Sequence, residues 1–120
     1  MGKTTAIIGA VPNPERYSYK ATVSLKQHGH KVYPIGLRPG KIMDLEIATD
    51  KPVLADVDTV TMYVGPQNQH YWIDYVLSLK PKRIIFNPGA ENPEFEAIAS
   101  SKGIECMEAC TLVMLSIGNY

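Results

Sequence analysis

The stretch Ala6-Ile7-Ile8-Gly9-Ala10-Val11-Pro12-Asn13-Pro14 is an apolar run that breaks at a glycine into a loop with two prolines and an asparagine. The chemistry this suits is capture of an anion. A glycine at a strand end lets a ligand approach closely because it has no Cβ. The N–H groups of such a loop, and of a helix start behind it, can receive phosphate oxygens. Three further breaks hold glycine: Gly36, Gly65 beside Pro66, and Gly89 behind Asn87-Pro88. Arg38 and Lys41 follow Gly36. A positive group there suits a phosphate on a ribose; the plainer alternative is solvated surface charge.

Other reactive side chains point to no catalytic set and no metal. His28, His30 and His70 lack metal-ligand spacing. Glu91, Glu94 and Glu96 stand at a helix start, where acids favour the macrodipole. Cys110 opens a final apolar helix, a place that can favour a thiolate, although the apolar run behind it suits a packed structural cysteine.

The elements that must position these residues alternate along the chain. Strands are expected over residues 4–9, 31–35, 59–64, 83–86 and 104–107. Between them, Ser18 can cap a helix reaching His28 that Gly29 ends. Asn68 can cap a helix over residues 69–79, with Trp72, Ile73, Val76 and Leu77 on one side. Asn92-Pro93 reads as N-cap and first residue of a helix that Gly103 closes, and a last helix runs over 110–117. Residues 36–56 are irregular, with a weak alternation at Ile42 and Ile47, and read as a long connection with a short strand or turn. Strands separated by helices predict an α/β, Rossmann-like, three-layer fold: about five mostly parallel strands with helices on both faces. Right-handed crossovers then bring the four glycine-bearing loops to one sheet edge, where open α/β sheets bind ligands.

A chain of 120 residues predicts a single domain over 1–120. Twelve Lys and Arg balance twelve Asp and Glu, so there is no broad basic footprint for nucleic acid. No apolar run is long enough for a membrane span, and no secretory leader is visible. Cys106 and Cys110 read as free thiols of a reducing compartment, which predicts a cytoplasmic protein. Protein partners and oligomeric state are left open.

The ligand class is narrowed by what the loops lack. The dinucleotide pattern G-x-G-x-x-G is absent, and no acid follows Ile35 until Asp44, so the ribose contact of an NAD site is missing. NADP and coenzyme A both carry the ribose phosphate that Arg38 and Lys41 suit.

At this point the residues resemble the stand-alone CoA-binding domain family, itself similar to the N-terminal domain of the succinyl-CoA synthetase alpha subunit. The resemblance runs through Ile7-Ile8-Gly9-Ala10-Val11-Pro12-Asn13-Pro14, Arg16-Tyr17-Ser18-Tyr19 and Gly29-His30-Lys31-Val32-Tyr33-Pro34-Ile35. It continues through Tyr63-Val64-Gly65-Pro66, Asn87-Pro88-Gly89-Ala90-Glu91-Asn92 and Gly103-Ile104-Glu105 leading to Cys110. It implies that CoA lies across the strand-end crevice. Gly9, Ala10, Val11 and Ser18 would lie near the pyrophosphate. Pro34, Ile35 and Gly36, with Arg38 or Lys41, would flank the adenosine and its phosphate. Val64, Gly65 and Pro66 would form another wall, and Asn87, Pro88 and Gly89 would line the way to the pantetheine arm. Ala10 stands where the family usually has serine, which removes a hydrogen bond worth about 0.5–1.5 kcal/mol. Gly36-Leu37 stands where it usually has Asn-Pro.

The expectation is therefore a CoA or acyl-CoA binding protein, a non-catalytic module or regulatory subunit. The alternatives are an NADP- or other nucleotide-dependent enzyme subunit and a ligand-free protein-interaction module on the same fold. Gly9→Val is expected to fold and to lose the ligand.

Overall fold

The computed structural model describes residues 2–120. The strands β1 (Thr5–Ile8), β2 (Val32–Ile35), β5 (Thr59–Met62), β6 (Arg83–Phe86) and β7 (Glu105–Glu108) form one parallel sheet in the order β2-β1-β5-β6-β7. A hairpin of β3 (Lys41–Ile42) and β4 (Leu45–Glu46) lies outside it. The helices are α1 (Tyr17–Gln27), α2 (Ile73–Ser78), α3 (Pro93–Ser101) and α4 (Thr111–Ile117). The predicted α/β architecture is the observed one.

β1, β5 and β6 are buried at every residue, as central parallel strands covered on both faces must be. Successive side chains face opposite layers. Ala6 and Ile8 join one core with Val76 of α2 and Phe95 of α3. Ile7 joins the other with Leu25 of α1 and Leu115 of α4. From β1 the chain goes outward to β2 and then returns to β5 on the other side of β1. Strand order reverses between β1 and β5, so the crevice of the sheet opens above Gly9 and Tyr63.

Several local expectations shift. Ser18 is not the N-cap of α1; Arg16 is, and Ser18 lies buried in the first helical turn. The cause is a turn at Asn13, whose carbonyl accepts from Arg16 N and whose side chain accepts from Glu15 N, so the helix starts earlier. The helix expected over 69–79 is a 3-10 segment, Pro66–Tyr71, followed by the short α2. The last strand starts one residue later than expected. The irregular 36–56 region holds the β3–β4 hairpin, and its two alternating residues, Ile42 and Ile47, are both buried. No helix among the described residues is long and apolar enough to cross a membrane.

Asn92 caps α3 as its position suggests, its side chain accepting from Phe95 N at 3.2 Å. Gly103, at φ +82°, follows the C-cap. Asn92→Asp keeps an N-cap acceptor while Asn92→Ala removes it. The alanine variant is expected to lose about 1 kcal/mol in urea unfolding, with aspartate recovering part of that.

Candidate functional site

Two adjoining clefts open at the carboxyl edge of the sheet, and Gly9, Val11, Arg16 and Val64 border both. The first, about 420 Å³, lies between the start of α1, Tyr63-Val64-Gly65 and Pro88-Gly89-Ala90. The second, about 780 Å³, runs from the Ala10–Asn13 loop past Leu37 and Arg38 to Asn68 and the His70–Trp72 turn.

The start of α1 gives the first cleft its electrostatics. Its N-cap, Arg16, makes no side-chain capping bond, and no acid stands in its first turn. The first N–H groups of a helix have no partner within the helix, and together they carry partial positive charge. Glu15 also borders this cleft, but it precedes the cap, and its own N–H is taken by Asn13. The arrangement suits an anion seated on the first turn of α1, with the Arg16 cation beside it.

The glycine loop works differently from the expectation. Gly9 N and Ala10 N both donate to the Ile35 carbonyl, at 2.9 and 3.0 Å. These two amides hold the loop to β2, and since Pro12 and Pro14 have no N–H and the Glu15 and Arg16 amides are bonded to Asn13, the loop has only the Val11 and Asn13 amides to offer the clefts. Gly9 has φ +100°, and a Cβ there would lie 2.9 Å from both the Tyr63 carbonyl oxygen and Val64 Cγ2. The expectation that Gly9→Val folds normally is thus corrected: the new side chain meets the protein's own backbone before any ligand. Stability and binding fall together in that variant.

Of the residues singled out from sequence, Ser18, Gly65, Pro88 and Gly89 border the first cleft, as do Gly9, Val11 and Val64. Ala10 and Arg38 border the second. Pro34 and Ile35 lie within β2, Gly36 is buried beneath Ala10, Lys41 is exposed at the hairpin and Pro66 is exposed at the start of the 3-10 turn. These five border neither cleft. Ile35 nonetheless acts on the site through its carbonyl.

Asn87 has a structural task. Its amide nitrogen donates to Thr61 Oγ1 at 2.7 Å and to the Met62 carbonyl at 2.9 Å, while its oxygen accepts from Thr111 N at 2.9 Å. It therefore caps α4 from the end of β6. Thr61 and Thr111 share a further hydrogen bond of 2.8 Å.

The sequence reading missed Arg16, Tyr17, Tyr63 and the His70–Trp72 turn. Arg16 and Tyr17 were findable, because a helix start behind a glycine loop faces the crevice. The 3-10 turn carried no local signal. It is set by Gln69, wholly buried, whose amide nitrogen donates to the Val64 and Ala90 carbonyls at 2.8 and 2.7 Å and whose oxygen accepts from Asn92 at 3.0 Å. Among the described residues no cluster of three or more His, Cys, Asp or Glu could hold a metal ion, and Cys106 and Cys110 are free thiols.

A family model described as a CoA binding domain matches residues 3–116. The crystal structure of an uncharacterized protein superposes with TM-score 0.97 at 51% identity, over 100% of this chain and 99% of that one. A hypothetical protein from Pyrococcus horikoshii aligns with TM-score 0.87 at 20% identity, over 97% of this chain and 83% of that chain. An acetyl-coenzyme A synthetase of Candidatus Korarchaeum cryptofilum, solved with phosphate and ADP, aligns with TM-score 0.73 at 22% identity, over 89% of this chain and 25% of that one. The last two show a shared fold. No curated protein matches the chain.

Proposed function

Because this chain belongs to the CoA-binding domain family, we propose that it acts as a single domain that binds coenzyme A along the carboxyl edge of its sheet. The diphosphate sits on the first turn of α1, the adenosine end enters the larger cleft beside Arg38, and the pantetheine arm passes Pro88-Gly89. The observation that carries this reading is the uncapped, acid-free start of α1 opening into a cleft at the topological switch point. The protein acts as a binding module or regulatory subunit in the cytoplasm. Support comes from the polar side chains of this edge, since Gln69, Asn87 and Asn92 all hold backbone and Gln69 and Asn92 also hold each other, and from the two free thiols.

Calorimetry against CoA, NAD, NADP and ATP tests the reading. CoA is expected to bind most tightly, and NAD binding of equal or greater affinity would overturn it. Arg38 and Lys41 separate in a second titration. Arg38 is exposed, so its pairing with a ribose phosphate is screened and is worth about 1 kcal/mol, below the usual range for charged hydrogen bonds. Arg38→Ala is expected to erase about a five-fold preference for CoA over dephospho-CoA. Lys41→Ala is expected to keep that preference, because Lys41 is exposed on the hairpin and borders neither cleft.

A further inference from the structure

A third recess, of about 300 Å³, lies beyond the first cleft and is lined by Tyr17, Tyr63, Asn87, Pro88, Cys110 and Leu112. Tyr17, Tyr63 and Pro88 border both spaces, so the two adjoin. If CoA lies as proposed above, its adenosine end takes the large cleft, and its thiol end leaves the first cleft on the side of this recess. The recess has about ten times a water molecule's share of liquid volume, which is room for a short chain and not for a second nucleotide.

The chemistry of the lining narrows the occupant. No Lys, Arg, His, Asp or Glu is among the six residues. Asn87, the one amide, has both nitrogen and oxygen engaged internally. The Tyr63 hydroxyl is buried, and burial pushes its ionisation well above the usual phenol range, so it stays neutral. Cys110 contributes a soft, weakly polar wall. Pro88, Leu112 and the two rings are apolar. A carboxylate here would lose its water with no counter-charge.

We infer that this recess is an acyl subsite, and that the ligand of this protein is the thioester of CoA with a short, uncharged acyl group. The inference rests on the CoA reading and adds a substrate class to it. A neutral chain gains by burying methylenes against Leu112 and the Tyr17 ring. A dicarboxylic acyl group, such as succinyl, is disfavoured, because its terminal charge meets no side-chain cation in this lining.

Calorimetry on the full chain with CoA, acetyl-CoA, butyryl-CoA, hexanoyl-CoA and succinyl-CoA tests this. Two added methylenes at about 0.8 kcal/mol each make butyryl-CoA about fifteen-fold tighter than acetyl-CoA, and succinyl-CoA is expected at least ten-fold weaker than butyryl-CoA. Leu112→Trp fills the recess and is expected to bring butyryl-CoA down to the affinity of CoA, with CoA itself unchanged. Leu112→Ala, a change the half-buried position tolerates, enlarges the recess and is expected to move the optimum to a longer chain. If CoA binds while every thioester binds no tighter than CoA, or succinyl-CoA matches butyryl-CoA, the acyl subsite is overturned and the CoA reading stands. If CoA and all thioesters fail to bind to folded protein, both are overturned.

Discussion

Gly36→Ala is expected to cost about 3 kcal/mol or more, a larger loss than small-to-large changes usually bring. Gly36 follows β2 directly, and its backbone lies against that of Ala10 just past β1. A Cβ at Gly36 would fall far inside van der Waals contact with the Ala10 carbonyl oxygen. The obstacle is backbone, so no side-chain rotation relieves it. Nor can either segment slide away. Gly36 N donates to the Ala48 carbonyl, while the preceding Ile35 carbonyl takes both Gly9 N and Ala10 N. Separating the two strand ends breaks these bonds together. The loop that opens the ligand cleft is held by the same bonds, so affinity for CoA falls with stability. In a thermal melt the variant is expected to drop by more than about 10 °C, taking about 4 °C per kcal/mol for a domain of this size. A melt within a few degrees of the parent would show that the close approach of Gly36 to Ala10 is not a constraint.

Gln69→Leu is expected to lose about 3–5 kcal/mol, although leucine is similar in size and apolar. Gln69 has no exposed surface. Its amide holds the Val64 carbonyl on one side and the Ala90 carbonyl on the other, and its oxygen orients Asn92. Leucine leaves two carbonyls without their donor and the Asn92 amide without its acceptor, at about 1–3 kcal/mol for each group that stays buried and unpaired. Gln69→Glu does no better, because a carboxylate would face two carbonyl oxygens. The expected signature in urea is a lower midpoint with unchanged slope, which marks lost stability and not an altered unfolded chain. Val64 and Ala90 both line the first cleft, so the folded fraction is also expected to bind CoA more weakly. Parental stability in Gln69→Leu would mean that these carbonyls find other donors.

What the sequence by itself determined is the sheet, most of the helix ends and the edge at which the glycine-bearing loops gather. Those are local matters. β1, β5 and β6 are apolar because both of their faces are covered, and that shows in consecutive residues. Gly29 and Gly103 end helices because each adopts a positive φ beside its own helix, and Asn92 caps the helix that starts one residue later. The loops share an edge because crossovers have one hand. The tertiary structure decided which groups of those loops are committed to the fold and which border the clefts. Gly9 and Ala10 amides turn to the Ile35 carbonyl, some 25 residues on, and Gln69 sets its turn through Ala90 and Asn92. Arg38 borders the cleft and Lys41 does not, a difference three residues apart that the β3–β4 hairpin creates. Cys110 borders a recess whose walls come from four separated segments. A hydrogen-bonding group is committed or free according to partners distant in the chain, and no pattern of near neighbours records that.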